Sequence, residues 1–400
     1  MSRLTRRHFL ATTGAATLAG CTGLVTGPGN DTRGDDTGGG DASGGDASGG
    51  GARSTPTCES AIEDGSPTPL PTDVDESGPV PTTETQLPLP MSPSALQGES
   101  RSGGPPKDGI PSIDEPQFVG ADEAAFLSDR DVVFGVVHDG VVRAYPQRIL
   151  AQHEIVNDTL AGDAVAVTYC PLTGTAMGFF RGSTTLGVSG RLINNNLVMY
   201  DRETEAWWPQ ILATSIPGTW NEDPEIRSLQ EFRVVWARWA DWRDHHPDTR
   251  VLSTETGYAR NYSDDPYGSY TPLSGYYEGG RPMFPSLSDD DRFDPKAVVM
   301  GARTSDGAAA FLKRGLRENG LVAGELGGTP VLAVHDPRYD TGYVYENPDG
   351  RSFSFDADCG YVVGDGEQYA PDSLPLARVY TFDAMWFAWS GYYPDSNVYA

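Results

Sequence analysis

The strongest constraint on the fold is that the chain resembles itself. A shift of about 166 residues lays Val132-Val133-Phe134-Gly135 on Val298-Val299-Met300-Gly301 and Ala144-Tyr145 on Ala310-Phe311. The same shift lays Leu160-Ala161-Gly162-Asp163-Ala164-Val165 on Leu326-Gly327-Gly328-Thr329-Pro330-Val331 and Cys170-Pro171 on Asp336-Pro337. Further on, a shift of about 147 matches residues 240–249 with 387–396, aligned on Trp242 and Trp389. The matched blocks keep their order, so residues 131–252 and 297–400 read as two copies of one unit. Such copies commonly meet about a pseudo-twofold axis, with sites where they meet.

Each copy reads as sheet. Val132 to Val137 and Val141 to Tyr145 flank His138-Asp139-Gly140, a hairpin signal. Pro146 to Asn157 has helical spacing, with Ile149, Leu150 and Ile155 on one side, and Ala164 to Tyr169 is a buried strand. Phe179 to Tyr200 reads as strand pairs around Gly187 and Gly190. No long amphipathic pattern occurs. The expectation is a β-rich α+β protein of two related antiparallel-sheet halves with short helices.

The N-terminus points to export. Thr5-Arg6-Arg7-His8-Phe9-Leu10, a short apolar stretch and Leu18-Ala19-Gly20-Cys21 form a twin-arginine pattern ending in what resembles a lipobox, with Cys21 as the lipidated residue. The stretch is too short to span a bilayer. Residues 1–21 are therefore expected to be the signal and 22–112, rich in Gly, Asp, Ser, Thr and Pro, a disordered tether. Residues 113–400 form the folded unit, held to the outer face of the cell membrane by its lipid.

A net charge of −27, with Lys107, Lys296 and Lys313 as the only lysines, suits concentrated salt, where the Debye length is short. It argues against nucleic acid, since no basic patch is available to neutralise phosphates. Of four cysteines, lipidation of Cys21 leaves Cys58, Cys170 and Cys359, so at most one disulfide forms and one thiol is left over. A bond between Cys58 and Cys359 is one possible pairing.

Comparison of the copies shows where they differ: Cys170 falls opposite Asp336, His153 opposite Asn319, and His246 opposite Tyr393. A thiolate ending a strand can be a nucleophile or a soft-metal ligand, and a nearby imidazole would lower its pKa or share the metal. Cys170 and His153 are thus the candidate catalytic pair, and His153, Cys170 and His246 the candidate metal ligands, copper or another transition metal being the cofactor. Against this, Cys170 can be a small buried apolar residue, His153 can bond backbone, and His246 before Pro247 can be structural. Tyr200, Asp201 and Trp208, with Arg260 and Tyr262, would line a ligand cleft if exposed and belong to the core if buried. Asn157-Asp158-Thr159 and Asn261-Tyr262-Ser263 match glycosylation sequons, which would demand exposure. No CxxC, HExxH, Walker loop, GxSxG or dinucleotide fingerprint is present.

The blocks RAYPQRILAQHEIVND, VAVTYCPLTGTAMGF, LVMYDRETEAWWPQ, HPDTRVLS, ARNYSDDPY and WFAWSGYYPD closely resemble the bacterial and archaeal family catalogued as domain of unknown function 3179. The likeness covers nearly all of residues 114–400 and implies architecture but no reaction. Family members commonly have Cys-Pro-Leu-Cys where this chain has Cys170-Pro171-Leu172-Thr173, which removes the partner of a local dithiol and leaves roles that need one thiolate. Three functions stay open: a metal or thiol redox centre at Cys170 and His153; a non-catalytic ligand-binding or surface-assembly module, for a glycan for example; and a hydrolase or transferase with Cys170 as nucleophile and His153 as base.

Overall fold

The computed structural model describes residues 73–400, and the expected signal, Cys21 and Cys58 lie outside the described residues. The two halves, residues 131–252 and 297–400, run through the same elements in the same order. In the first, Val132–His138 and Val141–Pro146 pair as a hairpin, Gln147–His153 is helical, and Ile155–Leu160, Asp163–Cys170 and Thr175–Phe180 form an antiparallel meander. In the second, Val298–Thr304 and Gly307–Leu312 pair, Lys313–Asn319 is helical, and Leu321–Leu326, Thr329–Asp336 and Thr341–Glu346 form the meander.

Late strands close both sheets alike. Val235–Arg238 pairs with the first hairpin's leading strand, and Thr381–Met385 does the same in the second half. Next come the helices Trp239–His245 and Trp386–Tyr392, then the short strands Arg250–Leu252 and Asn397–Tyr399, which join their hairpins in parallel. The fold is therefore β-rich, mainly antiparallel, with short helices.

The matched residues explain why these elements pack as they do. A Cβ on Gly135 would stand 2.1 Å from the Trp242 ring, and one on Gly301 would stand 1.9 Å from the Trp389 ring. Each indole needs a glycine beneath it. The two indole Nε1 atoms donate to Thr249 Oγ1 at 3.1 Å and to Ser396 Oγ at 3.0 Å, fixing the turn after each helix in the same way.

The structure differs from the sequence reading in three places. The helix expected to reach Asn157 ends at His153, because Glu154 takes φ 60° and the chain leaves it as a strand. The long hairpin Leu186–Ile193 with Asn196–Asp201 turns at Asn194-Asn195, both at positive φ, rather than at a glycine; Gly190 sits at the hairpin's register shift. Residues 73–112, placed in the tether, instead contribute strands to two sheets and bury Val80 and Leu96 against the main core, so the folded part begins earlier than Ile113.

The halves share one core, to which Cys170, Met177 and Met199 contribute from the first and Met385, Trp386 and Tyr392 from the second. Arg303 of the second half is fully buried and forks onto the first half's Glu231 at 2.8 and 3.0 Å. Arg233 of the first half reaches Thr341 Oγ1 and the Gly342 carbonyl of the second, each at 2.9 Å. A second staple joins the long hairpin to the last helix: Tyr392 donates to the Ile193 carbonyl at 2.6 Å and Asn194 to that of Ala388 at 2.9 Å. Among the described residues no helix is long and apolar enough to cross a membrane.

Candidate functional site: a buried thiol and a buried carboxyl group

Residue parity along Asp163–Cys170 decides which way the thiol faces. Val165, Val167 and Tyr169 face one core, while Ala166 and Cys170 face the other, shared with the long hairpin and the second half. The strand ends in the turn Pro171–Gly174, where Thr173 accepts the Met385 N–H of the second half at 2.9 Å. Cys170 is a free thiol, 1% exposed. Its sulfur donates to the Asn195 carbonyl at 3.5 Å and accepts from the Leu197 N–H at 3.4 Å.

Glu154 lies beside it. The Tyr169 N–H donates to the Glu154 carbonyl at 2.7 Å, which docks this residue against the end of the cysteine strand. The side chain is 7% exposed, and no hydrogen bond or ion pair among the described residues reaches its carboxyl group. Burial raises that carboxyl to about 8. Burial, and next the negative charge of Glu154, push the Cys170 thiol up to about 11, while a hydrogen bond with Thr173 pulls the other way. Both groups are therefore protonated at neutral pH, and the site is uncharged.

The second half shows what the backbone alone requires at Glu154. Its equivalent is Gly320, at φ 71°, and the same backbone bond recurs there, from His335 N–H to the Gly320 carbonyl at 2.8 Å. Left-handed φ is natural for glycine and strained for glutamate. The first half thus keeps an acid where strain and desolvation both act against it. Asp336, the counterpart of Cys170, is a buried carboxylate clasped by Arg338 at 2.9 and 3.0 Å. That position is structural.

The segment between the halves covers the site. Lys296 holds it by donating to the carbonyls of Tyr276 and Gly279, and its ammonium lies 3.5 Å from the centroid of the Tyr276 ring. Tyr276 donates to the Leu172 carbonyl at 2.8 Å, directly over the cysteine turn. Below the site Thr173 Oγ1 accepts from Asn196 Nδ2 at 3.1 Å, and Asn196 in turn donates to Gln210 Oε1 at 2.9 Å.

The expected pairing of His153 with Cys170 is corrected. His153 is fully buried, but Nδ1 donates to the Pro111 carbonyl at 2.7 Å and Nε2 accepts from Tyr262 Oη at 2.5 Å, so both ring nitrogens are engaged away from the sulfur. Burial lowers this histidine to about 4, and it is neutral. Adjacent residues at the helix end part company: His153 anchors the loop of Tyr262, and the Glu154 carbonyl is bonded to the end of the cysteine strand. His246 is also elsewhere, with its ring against Trp242 and its Nε2 3.0 Å from Tyr339 Oη. The trio His153, Cys170 and His246 therefore does not form one metal site.

The expected aromatic ligand cleft is core. Asp201 is fully buried and accepts from Thr204 N–H at 2.6 Å and Trp208 Nε1 at 3.1 Å, closing its own turn. Tyr200 is buried and donates to Asp108 at 2.6 Å. Tyr262 is buried on His153 and Thr256, whereas Arg260 is exposed. Asn157 is 1% exposed and donates to Asp114 and the Leu186 carbonyl, so the folded protein hides this sequon. Cys359 is disulfide-bonded, and Cys58, its suggested partner, lies outside the described residues.

A cleft of about 1300 Å³ does exist, between the halves, with Phe232, Arg233, His246, Tyr339 and Tyr380 in its walls. Sequence reasoning expected sites where the halves meet and singled out His246 of this cleft, but not its other walls, and it missed Glu154. The signal for Glu154 was available: the 166-residue shift places an acid opposite a glycine.

Fold and site together define a two-half, β-rich protein with one buried thiol–carboxyl site in its first half. The chain belongs to the family described as protein of unknown function (DUF3179), which matches it over residues 107–396. No curated protein and no solved structure matches it.

Proposed function

We propose that this is an exported, lipid-anchored protein that binds one thiophilic transition-metal ion, copper or zinc, at Cys170 and Glu154. The carrying observation is Glu154: an acid 7% exposed, with no hydrogen bond or ion pair to its carboxyl group among the described residues, in a strained backbone conformation that its counterpart satisfies with glycine. A cation would replace the protons of both groups and pair the two charges with its own. Neither imidazole takes part. We also infer that the halves arose by duplication and that the second became scaffold, its thiol position taken by the Asp336–Arg338 pair.

The test is metal analysis of protein made in its native compartment, beside Cys170→Ser and Glu154→Gln. The expected result is about one ion per chain in the native protein, none in Cys170→Ser, and weakened retention in Glu154→Gln. Equal metal in all three removes the proposal. A second reading, a module that binds an extracellular ligand such as a glycan, is supported by the cleft between the halves. It expects ligand retention to survive Cys170→Ser and to fail in Tyr339→Ala.

A further inference from the structure

The two motifs for glycan attachment to asparagine, Asn157-Asp158-Thr159 and Asn261-Tyr262-Ser263, lie in opposite surroundings. Asn157 sits in the strand Ile155–Leu160 and is 1% exposed. Its Nδ2 donates to Asp114 Oδ1 at 2.7 Å and to the Leu186 carbonyl at 2.9 Å, and its Oδ1 accepts from the Leu186 N–H at 2.9 Å. Both N–H bonds of that amide are engaged, and burial keeps an enzyme from it in the folded protein.

Asn261 is the reverse. It lies between the halves in a stretch, residues 253–264, that contains neither helix nor strand, and residues 257–261 are all exposed. The middle residue of the motif is the anchor. Tyr262 is buried, its Oη donating to His153 Nε2 at 2.5 Å and accepting from Thr256 Oγ1 at 2.6 Å, while Asn261 and Ser263 on either side are exposed. Gln152 donates to the Asn261 carbonyl and fixes the backbone there. Asn261 Oδ1 accepts from the Ser263 N–H at 3.1 Å and from Ser263 Oγ at 2.7 Å, an Asx turn that joins the two residues the motif requires. Ser263 Oγ also stands 3.1 Å from Asp264 Oδ2. Asn261 Nδ2 has no hydrogen-bond partner among the described residues. A hydrogen bond onto the amide oxygen polarises the amide and makes its N–H more acidic, which eases loss of a proton as the nitrogen takes a new bond.

We propose that Asn261 carries an N-linked saccharide, attached to the folded protein, and that Asn157 does not. This rests on the export reading, since the co-reactant is a saccharide joined through its anomeric carbon to a lipid phosphate at the outer membrane face. In the transfer a bond forms between Asn261 Nδ2 and the anomeric carbon, and the bond from that carbon to the phosphate oxygen breaks. The lipid phosphate leaves with the electron pair of the broken bond, and one Nδ2 proton passes to solvent through the transferase. A chain that crosses the membrane already folded presents Asn261 and keeps Asn157 sealed, so the fold selects one motif of the two.

The test is glycopeptide mass spectrometry on full-length protein purified from the native host, beside Asn261→Gln, Ser263→Ala and Ser263→Thr. These positions are exposed, and each variant is checked for a wild-type melting temperature. The expected result is saccharide on the Asn261 peptide of wild type and Ser263→Thr, its complete loss in Asn261→Gln and Ser263→Ala, and a bare Asn157 peptide throughout. Saccharide that persists in Ser263→Ala, or saccharide on Asn157, overturns the proposal. Lipid on Cys21 is read in the same samples. A bare Asn261 on a chain whose Cys21 is lipidated overturns the glycan site alone, and a bare Asn261 on a full-length chain with an unmodified Cys21 overturns the export reading with it.

Discussion

On the proposed reading, Glu154 is where stability and function pull apart. Its carboxyl sits near 8 in the fold against 4.5 ordinarily, so the native state holds a proton that the unfolded chain releases between those values. Stability from this group is full below 4.5 and falls as pH rises toward 8, by about 1.4 kcal/mol per pH unit. His153 acts in the opposite sense: held near 4 against 6.5, it removes stability as pH falls from 6.5 to 4. Above 6.5 only Glu154 counts of the two. Denaturant unfolding should therefore show wild type losing about 2 kcal/mol between pH 6.5 and 8 and Glu154→Gln losing little of it. Glu154→Gly should gain about a further 1 kcal/mol by relieving the left-handed strain. His153→Ala should lose about 1–3 kcal/mol, the usual penalty for stripping buried hydrogen-bond partners, without changing metal retention. The sequence made Cys170 legible because its counterpart is so different; it hid the role of His153, since which way the last residue of a seven-residue helix points depends on the turn after it. That turn is set by the φ of Glu154.

At the scale of elements, repeated patterning carried the prediction. The hairpin at Asp139-Gly140 and the buried strand ending at Cys170 follow from turn chemistry and alternation, both local properties. The turn at Asn194-Asn195 was not legible in the same way, because Gly187 and Gly190 offered competing signals. The tether boundary failed for a related reason: residues 73–112 are too poor in apolar groups to announce a core, yet Leu96 finds one built by distant strands. Packing of the two tryptophan helices is testable. Gly301→Ala should cost about 3 kcal/mol, read as a drop in melting temperature, because the added methyl group meets the Trp389 ring. In the cysteine turn the Thr173 N–H donates to the Cys170 carbonyl at 3.3 Å, so Thr173→Cys would place a second sulfur in the same turn. Its expected effect is at least tenfold tighter metal binding in competition titrations.

Across the whole molecule, the buried Arg303, a shared core and the stapled segment between the halves make them one cooperative unit. Thermal unfolding should follow a single transition. The overall charge of −27 makes that unit sensitive to ionic strength, since self-repulsion reaches further as the Debye length grows from about 3 Å at 1 M to about 10 Å at 0.1 M salt. Dilution from molar to tenth-molar salt should lower the melting temperature, and an unchanged value would remove the salt-adapted reading.

The most direct measurement is a titration of metal-free protein with zinc or cuprous ion at pH 6.5 in weak buffer, following protons released per ion bound. Both site groups carry their protons there. Wild type should release one proton from Cys170 and one from Glu154 for each ion. Glu154→Gln should release only the thiol proton, and Cys170→Ser should fail to bind. Tight binding without proton release, or binding that persists in Cys170→Ser, would contradict the assignment of the site.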